Sequence, residues 1–333
     1  MQSRLIKPLM ALCATVWVSM TQAAEHAPLT LETKIPLGDV KGRIDHLAID
    51  VARRRLFVAE LGNDTVGVVD IGRRNVIRRL EGFDEPQGVA FLAQTETLFV
   101  ANGGDGVLSA FRGPQLEPVG KLDLGGDADN IRIDRDQERI YVGAGNGSLS
   151  IIDATAFKKV GGIELKAHPE SFQLEGEGAR VYVNVPDARE VAVVDRKTSR
   201  QIASWPAANL QSNYPMALDS PRNRVLVAFR QPARLVSFDA ASGAIKERVE
   251  ICGDADDVFV DARRGYSYVV CGQGVVDVLA SQGARTSRVA RVDSSPGART
   301  ALFSPELDRL FVAARAAGGE GAAVWVFRPV DGS

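Results

Sequence analysis

The chain has 333 residues, of which 45% are hydrophobic and 25% charged, with 40 Lys and Arg against 42 Asp and Glu. That composition supports a packed fold and excludes a disordered chain. Near-balanced charge, with no block of Lys or Arg, excludes the basic surface that nucleic acid requires.

The first 23 residues stand apart from the rest. Arg4 and Lys7 make a positive start, residues 9–20 form an apolar run too short to span a bilayer, and Ala23 sits where signal peptidase cuts. A cleaved secretory signal over residues 1–23 is expected, leaving one domain over 24–333 in a periplasmic or secreted location, without stable membrane insertion. An uncleaved N-terminal anchor is the alternative. Cys13 follows Leu12, where a lipoprotein signal carries a small residue, so lipid anchoring is not expected. Cleavage removes two cations and no acid, leaving 38 cations against 42 anions and a net charge of −4.

Residues 29–37 read as a lone strand. Seven similar units follow, each with a short apolar strand, an Arg-rich turn, a second strand of the Leu-Phe-Val-Ala type and a third strand. Their inner-strand anchors are Leu47, Val89, Ile131, Phe172, Met216, Val258 and Ala301, spaced by 42, 42, 41, 44, 42 and 43 residues. That period, with about four strands per unit, is the signature of a β-propeller blade. Third strands ending in Asp70, Asp153, Asp195 and Asp239 place turn chemistry at equivalent points. The seventh unit stops after Trp325-Val326-Phe327 with no fourth strand, so the predicted fold is an all-β, seven-bladed propeller in which residues 29–37 complete the last blade and close the ring.

Two cysteines remain after the signal, Cys252 and Cys271, 19 residues apart in the sixth unit. In an oxidising compartment a disulfide is the expected state; a redox or metal-binding thiol pair is the rival, although no CxxC spacing is present.

The second strands Ile140-Tyr141-Val142-Gly143, Val181-Tyr182-Val183-Asn184 and Leu98-Phe99-Val100-Ala101-Asn102 resemble those of the YVTN-repeat, YncE-like seven-bladed propellers of the bacterial periplasm. No unit spells Tyr-Val-Thr-Asn in full. The resemblance implies a secreted seven-bladed ring and no common reaction.

Function in such a ring is expected where the inner strands begin, because seven loops converge there on a rigid base. Two residues before each anchor lie Asp45, Gln87, Asp129, Glu170, Tyr214, Asp256 and Arg299, and one residue before lie His46, Gly88, Asn130, Ser171, Pro215, Asp257 and Thr300. Asp45, His46, Gln87, Asp129, Asn130, Glu170, Tyr214, Asp256, Asp257 and Arg299 are therefore the candidate ligand-binding residues. Units three and six share the tetrapeptide Gly-Asp-Ala-Asp at 126–129 and 253–256, which is either a tight turn or a pair of carboxylates facing a ligand across the channel.

Only His26, His46 and His168 lie beyond the signal, so a three-histidine metal centre is not expected, and no CxxCH attaches haem. His168, before Pro169, reads as a turn residue. The Gly-rich run 102–106 links two strands and opens no helix that could hold a phosphate. Two functions remain. The first is a non-catalytic binding or scaffold protein for a small polar ligand or periplasmic partner protein, without a cofactor. The second is a metal-dependent hydrolase or lactonase, in which Asp129, Glu170 and Asp256 hold a calcium or magnesium ion and His46 or Asp45 takes a proton from water.

Overall fold

A computed structural model describes residues 27–331 apart from 208 and 284. The expected signal segment lies outside them. Among the described residues, 28 strands form seven antiparallel four-stranded sheets, and six of these take their strands in chain order from inner to outer. The seventh sheet is the exception: Ala301–Ser304, Arg309–Ala314 and Ala322–Pro329 are completed by Leu29–Gly38 from the other end of the chain. This is the closure that the missing fourth strand predicts. Leu29, Ile35 and Leu37 are fully buried by it, and the Val330 amide donates to the Pro28 carbonyl at 2.9 Å.

Second strands such as Arg55–Glu60 and Thr97–Asn102 are buried on both faces, because each blade packs against two neighbours. β-Branched and aromatic residues fill them for that reason. The core is accordingly a set of interblade layers rather than one centre; one of these packs Ile35 and Val324 of blade seven against Leu47 and Val58 of blade one.

Asp residues at strand ends make the turns. Asp70 accepts from the Arg73 amide at 2.8 Å, Asp153 from Ala156 at 2.8 Å and Asp195 from Lys197 at 2.8 Å. Every outer strand also carries a β-bulge at the same place, leaving one residue out of the pairing: Ile77, Val119, Val160, Ile202, Lys246, Val289 and, in blade seven, Glu32. A bulge twists an exposed edge and spoils it as a template for another strand. The five apolar members of this set are 39–55% exposed, and the bulge accounts for their position.

Cys252 and Cys271 form a disulfide with Cα atoms 5.9 Å apart. It joins the segment after Ile245–Glu250, the outer strand of blade five, to the end of Tyr266–Cys271, the second strand of blade six. Among the described residues no helix is long and apolar enough to cross a membrane.

Candidate functional site

Pairing with the second strand continues beyond the inner strands and fixes the loops at the channel mouth. The amides of Asp45, Asp129 and Glu170 donate to the carbonyls of Ala59, Gly143 and Asn184 at 2.8, 3.1 and 3.0 Å. In blades two, five and six the device is a bulge, whereas in blade seven the Ala313 amide donates to the Thr300 carbonyl at 3.0 Å. Inner strands Pro86–Leu92, Gln211–Asp219 and Ala255–Asp261 each slip register, leaving Gln87, Tyr214 with Pro215, and Asp256 out of the ladder. Bulges of this kind re-aim side chains next to functional sites.

The result is a polar cavity of about 340 Å³ at the mouth, lined from all seven blades. Of the ten residues expected from the sequence, Asp45, His46, Gln87, Asp129, Asn130, Glu170, Tyr214, Asp256 and Arg299 line it. Asp257 sits one layer lower, in a second cavity of about 350 Å³ within the channel shaft, where its carboxylate accepts from the Ala301 amide at 2.7 Å. His46 borders both cavities and separates them.

Arg43, Asp127, His168, Ser171 and Arg230 complete the lining. Three of these lie four residues before their anchors, one pleat above the level read from the sequence; continuing the period of two along each loop finds Arg43, Asp127 and His168. Arg230 comes from a second strand, Arg224–Gln231, and stacks 4.0 Å over the Tyr214 ring. Gly88 lets blades two and three close, since a Cβ there would lie 1.9 Å from the Asp129 carbonyl oxygen.

The mouth is electrostatically two-sided. On one side every carboxylate has an arginine: Asp256 is held by Arg230 and by Arg299 at 2.8 Å, Asp254 lies 3.3 Å from Arg230 and 3.2 Å from Arg299, and Asp45 accepts from Arg43 at 2.8 Å. The opposite side has Asp127, Asp129 and Glu170. Among the described residues, no Lys or Arg pairs with any of these three; His46 lies 3.9 Å from Asp129 and His168 lies 3.8 Å from Asp127.

The proton affinities follow from this division. Burial, followed by the charges of Asp45 and Glu170, drives Asp129 well above the usual carboxylate range. Burial and neighbouring Asp256 raise Glu170 to about 7. Asp256 and Asp45 are also raised by burial, but the arginines beside them oppose the rise. His46 is lowered to about 4 by burial and by Arg132 in the shaft, so it is neutral at physiological pH. Burial lifts Asp257 well above its ordinary value.

Among the described residues, the set of three or more acids and histidines whose ligand atoms all lie within 4.8 Å of one another is Asp129, His168 and Glu170. The structure thus brings Asp129 and Glu170 together with His168, while Asp256 is engaged by two arginines.

The chain matches no protein-family model and no curated protein. Among solved structures, it is similar to a chain of Kuenenia stuttgartiensis hydrazine synthase, with 16% identity, a TM-score of 0.74, and 83% of this chain and 94% of that chain covered. It is also similar to a chain of a mitotic checkpoint complex, with 14% identity, a TM-score of 0.78 and 99% of each chain covered. At such identities the likeness carries the fold alone: a seven-bladed β-propeller.

Proposed function

We propose that this is a secreted, periplasmic propeller of the YVTN-repeat, YncE-like kind, whose mature domain over residues 24–333 binds a small polar ligand or a partner protein at the channel mouth without catalysis. A polar cavity built from all seven blades, with arginine-paired acids facing unpaired ones, carries this reading. A propeller suits a binding or scaffold role because its rigid sheets fix the loops before the ligand arrives, which lowers the ordering cost of binding. The buried disulfide fits an oxidising compartment.

The hydrolase alternative is weaker on chemical grounds. A general base works best with a pKa near the operating pH, whereas His46 is held at about 4 and Asp45 is engaged by Arg43. The test is a thermal-shift panel of monosaccharides, amino acids, dicarboxylates and dipeptides on the wild type and on Tyr214→Ala. A compound that raises the melting temperature of the wild type but not of the variant supports the reading. A panel that stabilises neither, or both equally, overturns it.

A further inference from the structure

The carboxylate side of the mouth contains buried polar atoms that lack partners. Asp129 is 7% exposed, and its Oδ1 is buried without a hydrogen bond, as is Nδ1 of His168. Oδ2 of Asp129, by contrast, accepts from the Asn130 amide group at 3.3 Å. An unpartnered buried carboxylate oxygen costs about 1–3 kcal/mol or more, so one on a residue whose carboxylate stands within 4.8 Å of a histidine nitrogen and a second carboxylate points to a missing positive charge. No arginine or lysine among the described residues supplies it.

The geometry points to a divalent transition-metal site made by Asp129, His168 and Glu170, with zinc as the ion its donor set fits. We infer further that an open coordination position faces the mouth, so a polar ligand would reach the metal through its own oxygen. Three protein ligands leave a tetrahedral zinc ion one position for a ligand's oxygen, in contrast to closed structural sites with four. The donor chemistry selects the ion class. An imidazole nitrogen beside two carboxylates favours zinc and its neighbours over calcium and magnesium, which prefer oxygen alone. With bonds of about 2.1 Å, donors now within 4.8 Å of one another close on the ion by small side-chain rotations.

The surroundings match a supported ligand set. Asp127 Oδ2 lies 3.8 Å from His168 Nδ1, and Asp127 Oδ1 accepts from Gln87 Nε2 at 3.4 Å. At 3.8 Å the first of these contacts is not a hydrogen bond; closing to hydrogen-bond distance would let Asp127 accept from Nδ1, orient the ring and leave Nε2 as the metal donor. Gln87 is itself confined, because Gly103 leaves the space it occupies. His168 stands two residues before Glu170, the spacing that puts both side chains on the same side of an extended chain, and both line the cavity.

This inference rests on the reading of the mouth as a ligand site and gives it a chemical class. Equilibrium dialysis of chelator-treated protein against zinc, magnesium and calcium, with metal analysis of the retentate, tests it. One zinc per chain is expected, with magnesium and calcium at least about a hundredfold weaker. His168→Gln and Glu170→Gln should each weaken zinc about tenfold or more, whereas His26→Ala should not change it. Both mouth variants remove buried titratable groups, so their melting curves in chelator should show a folded protein. Zinc affinity unchanged in His168→Gln, no zinc retained, or calcium bound more tightly than zinc would each overturn the site. If zinc is not retained but a polar compound still stabilises the wild type and not Tyr214→Ala, the metal falls and the binding mouth stands. If neither is seen, both readings fall.

Discussion

Replacing Glu170 by Gln should make the protein more stable at alkaline pH and leave it nearly unchanged at acid pH. Glu170 ionises near 4.5 in an unfolded chain and at about 7 in the folded one, because burial and Asp256 oppose its charge. Between those values the folded state holds a proton that the unfolded state has lost, so stability falls as pH rises through this window and levels off above it. At about 1.4 kcal/mol for each tenfold change in proton affinity, the loss at pH 8.5 approaches about 3 kcal/mol. The partial exposure of the side chain makes that an upper bound. Gln carries no charge at either pH and escapes the loss. Urea unfolding of both proteins at pH 4.5 and pH 8.5, in chelator, measures the difference; zinc added at pH 8.5 should return most of the lost stability to the wild type alone. Equal stability of the two proteins at both pH values would refute the claim that burial and Asp256 outweigh the opposing charge of Arg230 at Glu170.

Four other changes test separate parts of the structure. Cys252→Ser with Cys271→Ser opens a loop of 19 residues and should cost about 3 kcal/mol in denaturant unfolding; a loss below about 1 kcal/mol would mean that the disulfide does not restrain the unfolded chain. Deleting residues 24–38 removes the buried side chains of Leu29, Ile35 and Leu37 and exposes the edge of blade seven. At about 1.5–3 kcal/mol each, this should lower stability by on the order of 5 kcal/mol and promote aggregation visible by light scattering. Gly88→Ala forces a methyl against the Asp129 carbonyl and should cost about 1–3 kcal/mol while disturbing zinc retention; an unaffected mouth would show that blades two and three are not in contact there. Arg299→Ala leaves Asp256, whose side chain is 16% exposed, with Arg230 alone. It should destabilise by about 2 kcal/mol or more near neutral pH, and adding Asp256→Asn should recover part of that loss.

The ring and its closure were legible because each blade repeats a pattern fixed by local physics: apolar second strands buried on both faces, and Asp turns at set intervals. The seventh unit, which has no fourth strand of its own after Trp325-Val326-Phe327, is completed by the unpaired pattern at residues 29–37. The first level of the mouth was legible for the same reason, since equivalent positions in equivalent blades meet around one axis. The rim one pleat above that level carries no such signal, however. Arg43, Asp127 and His168 lie in loops where no apolar alternation marks a strand, yet backbone pairing such as that of the Asp45 amide with Ala59 carries the extended form through them. Arg230 escaped because it arrives from a second strand. The bulges that aim Gln87, Tyr214 and Asp256 left no signal, because they insert ordinary residues into otherwise regular strands. Which acids are neutralised was equally hidden: Asp129 and Asp256 end similar tetrapeptides, and only the reach of Arg230 and Arg299 separates the paired acid from the unpaired one.

The most direct measurement is anomalous diffraction at the zinc edge from a crystal of the protein soaked in zinc. One strong peak is expected at the channel mouth, within bonding distance of Asp129, His168 and Glu170. A mouth with no peak, or zinc found only on the outer faces of the blades, would contradict it.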